Sequence, residues 1–158
     1  MKSIRKIKLY LLLICFLINI VYVTPSYSLS PQEDLFKNAL NLSSSGEFNL
    51  ALKQWNKYLE LFPDDAAALS NRGNIKLVNG DPEGAIEDQD KAIELDPGEV
   101  DPYINRGIAE ESLGLWLQAK NDYLYVISKD KDNFSALYNF ANVEGSLSNW
   151  QSARNLFS

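Results

Sequence analysis

Four alanines, Ala51, Ala85, Ala119 and Ala153, recur at a constant interval of 34. Gly46, Gly80 and Gly114 keep the same interval, as do Pro63 and Pro97. The tripeptide Asn-Arg-Gly also recurs on it, at Asn71-Arg72-Gly73 and Asn105-Arg106-Gly107. One repeated tripeptide can arise by chance, but several residue types held in one phase define a structural period. A period of 34 is the signature of stacked helical hairpins, where each unit buries its apolar face only against its neighbours. Such an array points to binding rather than to chemistry.

Units aligned on this period begin near Gln32, Ala66, Val100 and Phe134. The second unit predicts a helix A over Ala66 to Val78, a turn at Asn79-Gly80-Asp81, and a helix B over Pro82 to Leu95. Proline suits the first turn of a helix, where its missing N–H costs nothing, which places Pro82 at a helix start. Pro97 ends helix B because a proline disfavours helical geometry in the residue before it. Asp101-Pro102 predicts a second start signal, a capping carboxylate followed by proline. The fourth unit is short, running only from Phe134 to Ser158, with a turn before Trp150 and a second helix cut near Leu156-Phe157.

Small residues recur where paired helices must approach. Gly73, Gly107, Ala39 and Ala141 fall in mid-helix A, and the periodic alanines fall in helix B. Glycine inside a helix costs about 1 kcal/mol against alanine, so close packing must compensate. Large apolar residues fill the rest. Leu35, Leu69, Tyr103 and Leu137 recur early in helix A, and Phe48, Trp116 and Trp150 recur after the turn. Trp55, Tyr123 and Phe157 recur within helix B, where the second unit has Gln89. Aromatics in phase with a repeat predict core.

This pattern resembles the tetratricopeptide repeat (TPR) family, whose helix A carries a bulky residue, Leu-Gly and Tyr, and whose helix B carries Ala, Phe and Pro. The second unit matches through Leu69, Gly73, Ala85, Ala92 and Pro97, the third through Tyr103, Gly107, Ala119 and Tyr123, and the first through Leu35, Ala39, Ala51, Trp55 and Pro63. Arg72 and Arg106 replace the usual leucine, Lys76, Glu110 and Glu144 replace tyrosine, and Lys131 replaces the closing proline. The resemblance covers Gln32 to Ser158. It implies an all-α, right-handed superhelical solenoid of antiparallel helix pairs. The Asn-Arg-Gly copies and the Lys/Asn/Ile/Ser-rich usage are similar to TPR proteins of cyanobacteria and plastids.

The N-terminal segment, 1–28, stands apart. Lys2, Arg5, Lys6 and Lys8 precede an apolar run from Leu9 to Val23, and Ser26 and Ser28 give small-x-small spacing. That is the grammar of a secretory signal. An uncleaved membrane anchor is the alternative, for which about 20 apolar residues are usual. The expected division is 1–28 as signal peptide or N-terminal anchor and 29–158 as the array, its last unit incomplete. An exported location follows: periplasm, thylakoid lumen or extracellular space. Membrane contact is expected only through the N-terminal segment, if uncleaved.

The net charge of the 158 residues is −6. Without the leader, 11 Lys+Arg face 21 Asp+Glu, giving −10. That balance repels nucleic acid and favours basic peptides or cationic surfaces, or serves solubility alone. The chain has no histidine, and its one cysteine, Cys15, lies in the apolar run. No catalytic, metal-binding or cofactor-binding residues are expected. The acidic pairs Asp64-Asp65, Asp88-Asp90 and Glu110-Glu111 read as solvated surface, and Asp81, Asp96 and Asp130-Asp132 lack the order of a calcium loop.

Asn71, Asn105 and Asn139 share the same phase on helix A. The resemblance puts helix A on the concave face, where some TPR proteins carry an asparagine ladder that bonds the backbone of an extended peptide. An amide donates and accepts at once, matching a peptide N–H and C=O. Equally, each could brace a neighbouring helix. Lys37 occupies the place in unit one. Arg72 and Arg106 predict ion pairs with Asp88 and Asp122, which follow them at a shared offset in the facing helix B. The set of lysines, arginines and asparagines on helix A with which one TPR subclass clamps the C-terminal carboxylate of chaperones is not present in recognisable form, since the matching places hold mostly Ser70, Ile104, Ile108 and Asp101. The function expected is a non-catalytic protein–protein interaction scaffold or assembly factor. The alternative is the interaction module of a longer enzyme, or of a membrane-tethered adaptor, cut at Ser158. The open end of the fourth unit implies a fragment or an end that pairs with another surface.

Overall fold

The computed structural model describes residues 30–156, with side chains to Ser148. The leader and Phe157 fall outside the described residues. Every regular element among the described residues is helical. They are α1 (Pro31–Ser44), α2 (Phe48–Leu61), α3 (Ala66–Val78), α4 (Pro82–Leu95), α5 (Asp101–Ser112), α6 (Trp116–Lys129) and α7 (Phe134–Leu156). The hairpin of the second unit has the limits its sequence predicts. Among the described residues, no helix is long and apolar enough to cross a membrane.

Each hairpin turns on a glycine. Gly46, Gly80 and Gly114 have φ of 81°, 83° and 73°, a conformation that penalises any side chain. The equivalent place in unit four is Ser148. There the helix does not turn, and α7 runs unbroken from Phe134 to Leu156. The fourth unit is therefore one long helix and not the expected hairpin, because serine offers no cheap left-handed stop. The bare flank follows from it. Ala141 is exposed and Leu137 is 41% exposed, although their counterparts Gly73, Gly107 and Leu69 are buried against a second helix.

Three helix starts are fixed by side-chain caps. Asp65 accepts from the Ala68 N–H at 2.9 Å, Asp81 from Gly84 at 3.0 Å, and Asn133 from Ala136 at 3.0 Å. Asp101 differs from its expected role. It is the first helical residue, and Val100, already helical at φ −92° and ψ −23°, precedes it without a side-chain cap. Its carboxylate is thus not consumed in capping.

Hairpin partners pack through the small residues. A Cβ added to Gly107 would lie 2.7 to 3.0 Å from the Tyr123 ring. One added to Gly73 would lie 2.7 Å from Gln89 Nε2. Tyr123 is fully buried and donates to Glu111 Oε1 at 2.5 Å, so its ring has nowhere to go. Gly107→Ala should therefore destabilise the protein by about 2 kcal/mol, since overpacking outweighs the roughly 1 kcal/mol gained in helix propensity. A urea melt showing a more stable variant would disprove this.

Two apolar clusters result. One joins Trp55, Tyr58, Leu59 and Leu69 across the first hairpins, and the other joins Ile104, Tyr123, Val126 and Val143 across the last. Between them sits Gln89, 1% exposed, donating to the Ser70 carbonyl at 3.0 Å and Asn74 Oδ1 at 3.2 Å. The aromatic positions of the first and third units are core, as their phase predicts.

The first helices of successive units touch, α1 with α3, α3 with α5 and α5 with α7. The second helices, α2, α4 and α6, have no backbone approach to one another within 8 Å among the described residues. An array whose elements meet on one side and part on the other curves toward the side that meets. The inner face is therefore made by α1, α3, α5 and α7.

Candidate groove on the inner face

Two concavities of about 340 and 460 Å³ run along this face. Asn74, Asp101 and Asn105 line both, so they form one groove across α3, α5 and α7. All three asparagines of the repeating phase line it. Asn71 belongs to the first concavity, Asn139 to the second, and Asn105 to both.

Their hydrogen bonds differ. Asn71 Nδ2 donates to the Ala67 carbonyl one turn back, at 2.8 Å. Asn105 Nδ2 donates to Ser70 Oγ of α3 at 3.2 Å, a brace between neighbouring units. Asn139 makes no side-chain hydrogen bond among the described residues. Bracing and groove lining thus coexist at Asn105, and in both bonded residues the Oδ1 acceptor remains open.

The groove is neutral and acidic. Asp96, Glu99 and Asp101 border its first half, and no lysine or arginine lines either concavity. Ile104, Ile108, Phe134 and Tyr138 line its second half. Phe134 and Tyr138 are 79% and 59% exposed, with ring centroids 6.3 Å apart at 19°. The three carboxylates and Asn74 were missed in the sequence. Asn74 follows Asn71 by one helical turn, a spacing that could have revealed it. Asp96 and Glu99 lie in the loop between α4 and α5 and Asp101 opens α5, and Asp101 has no acidic counterpart in the units on either side.

The cations lie elsewhere. Arg72 donates through Nε and Nη2 to both Asp88 oxygens, at 2.7 and 2.6 Å, and through Nη1 to Asn56 Oδ1 at 3.1 Å. Arg106 repeats this with Asp122 at 2.7 and 2.6 Å, and with Asp90 at 2.6 Å. The expected pairs form, and each arginine also grips the preceding unit's second helix. Lys76 Nζ lies 3.1 Å from Asp88 Oδ2, and Lys120 Nζ 2.5 Å from Glu144. Glu110 takes the place of Lys76 in the third unit, 8% exposed, with Oε2 lacking a partner. Burial first, then Asp122 and Asp90, push its carboxyl up to about 7. Among the described residues, no group of three or more metal-ligating side chains assembles.

Residues 36–100 match the tetratricopeptide repeat family. Among curated relatives, the chain is 29% identical to sperm-associated antigen 1 of Rattus norvegicus over 71% of its own length and 12% of that protein. It is 27% identical to tetratricopeptide repeat protein 36 of Homo sapiens over 64% of its own length and 56% of that protein. The match thus spans little more than half of the second relative, and far less of the first. Among solved structures, the first TPR of Spaghetti (RPAP3), bound to the HSP90 peptide SRMEEVD, superposes with a TM-score of 0.71 at 21% identity. That fit covers 74% of this chain and 93% of the other. The Sgt2 TPR domain from Aspergillus fumigatus gives 0.72 at 19% identity, over 80% and 86%. The family match over residues 36–100 agrees with the periodic sequence and the glycine-hinged hairpins, and the described array has the fold of these solved TPR domains.

Proposed function

We propose that the protein is a non-catalytic interaction module that takes an extended segment of a partner protein along the groove of α3, α5 and α7. The observation that carries this reading is the placing of Asn71, Asn105 and Asn139, one per unit, along a single continuous groove. Adjacent helices spaced by roughly 8–10 Å match about three extended residues per unit. An amide offered at each step suits a backbone more than any one side chain. Solved relatives of the same fold hold peptides, as the HSP90-peptide complex illustrates. With no histidine and no cysteine, the array lacks the commonest acid–base and nucleophilic side chains.

The leader supports export as part of the same proposal, with action outside the cytoplasm. A mature N-terminus at Leu29 would agree with it, and an intact Met1 would favour a tethered adaptor.

Replacing Asn71, Asn105 and Asn139 together by alanine should reduce peptide capture by at least about tenfold, if each lost hydrogen bond contributes about 0.5 kcal/mol or more. The loss at Asn105 should cost under about 1 kcal/mol of stability, because its bond to Ser70 is long and partly exposed. Peptide retention unchanged in the triple variant would reject the groove.

A further inference from the structure

We propose that the segment bound in this groove is basic and that arginine is its preferred side chain. The inference rests on the proposed groove function and names the chemistry of its occupant.

Three observations converge. First, Asp96, Glu99 and Asp101 border the groove without a cation beside them, and none of them makes an ion pair among the described residues. An anionic ligand would meet uncompensated like charge there, and a cationic one would find counter-charges already in place. Second, five of the array's cations are committed elsewhere. Arg72, Lys76, Lys91, Arg106 and Lys120 all sit in ion pairs with Asp88, Asp64, Asp90, Asp122 or Glu144. Third, the far half of the groove ends in two exposed, stacked rings, Phe134 and Tyr138. Aromatic faces hold guanidinium by cation–π attraction and planar stacking, which an ammonium matches less well.

These features lie in one register. Asp101 lines both concavities, and Ser135, its counterpart in the next unit, lies beside Phe134. The carboxylates and the rings are therefore one unit apart, about three extended residues. A segment with two basic residues at that interval reaches both, while Asn71, Asn105 and Asn139 hold its backbone between. This is opposite in charge to the acidic HSP90 peptide SRMEEVD held by the structurally similar RPAP3 domain.

The test uses the full chain and pools of degenerate nonapeptides that are arginine-rich, lysine-rich, neutral or glutamate-rich. Retention is read by fluorescence anisotropy at low and high salt. The arginine pool should bind best, the lysine pool less well, and the glutamate pool worst. The combined variant Asp96→Asn, Glu99→Gln and Asp101→Asn should weaken the basic pools about tenfold and flatten their salt dependence. Phe134→Ala should narrow the gap between arginine and lysine. Equal binding of all pools, or basic pools unaffected by the neutralised border, would overturn this inference. The groove itself would still stand if the triple asparagine variant lost that binding. Binding insensitive to the asparagines, or no binding by any pool, would bring down the groove reading as well. Circular dichroism on each variant separates these outcomes from unfolding.

Discussion

Arg106→Ala should lower stability by about 3 kcal/mol, the usual effect of removing one partner from a largely buried ion pair. For an array of this size that corresponds to a fall of about 10 °C in Tm. The size follows from what the change strands. Asp122 has a side chain only 9% exposed, and both its oxygens are taken by this guanidinium at 2.6 and 2.7 Å. Asp90 loses its partner too, though it is half exposed and matters less. Arg106→Lys should recover little, because an ammonium cannot make the paired fork. Hydrogen exchange should show the loss concentrated in α5 and α6, since solenoid units unfold with their neighbours. A loss below about 1 kcal/mol would mean that the pair is screened like any surface pair.

Glu110→Gln should stabilise the protein by about 2 kcal/mol above about pH 7.5 and change little near pH 4. The carboxyl titrates at about 7 in the fold, against an ordinary value of 4.5. Between those values the folded chain holds a proton that the unfolded chain has released. Stability contributed by this group is therefore full below about pH 4.5, falls as pH rises through that window, and is gone above about 7. Glutamine keeps the shape and removes the charge, so the fall should vanish. Glu110→Lys should do at least as well at neutral pH, since Lys76 already shows an ammonium fitting that slot, 3.1 Å from the matching aspartate. Tm measured from pH 4 to 8 decides the matter. Parallel curves for wild type and Gln would show that Glu110 is solvated and titrates normally.

The hairpins were legible because their signals repeat. Gly80 and Pro82 fix the second unit's helix limits, and the constant interval carries them to the other units. The Arg–Asp pairs were legible for the same reason, as a fixed offset of 16. Their second contacts, to Asn56 and Asp90, were not foreseen, although the same offset read backward gives them. The fourth unit was misjudged because its period survives in Ala153 and Trp150 while its hinge does not. A residue that must adopt a left-handed backbone weighs more than several that only pack. The acidic border of the groove was illegible, since Asp96 and Glu99 lie in a connecting loop and Asp101 looked committed to a cap. The charge slot at position 110 was visible as a departure from tyrosine, but its burial beside two aspartates depends on packing across three helices.

The parting of α2, α4 and α6 gives the arginines a mechanical meaning. Where backbones do not touch, the only direct ties across the gap are side chains, and Arg72 and Arg106 are such ties. The inner face, held by close helix contact, acts as a hinge line, and the outer ties limit how far the array can uncoil. Salt loosens charged ties and leaves apolar contact intact. The width of the groove is thus set partly from the opposite side of the molecule, by two guanidinium groups that no ligand needs to touch.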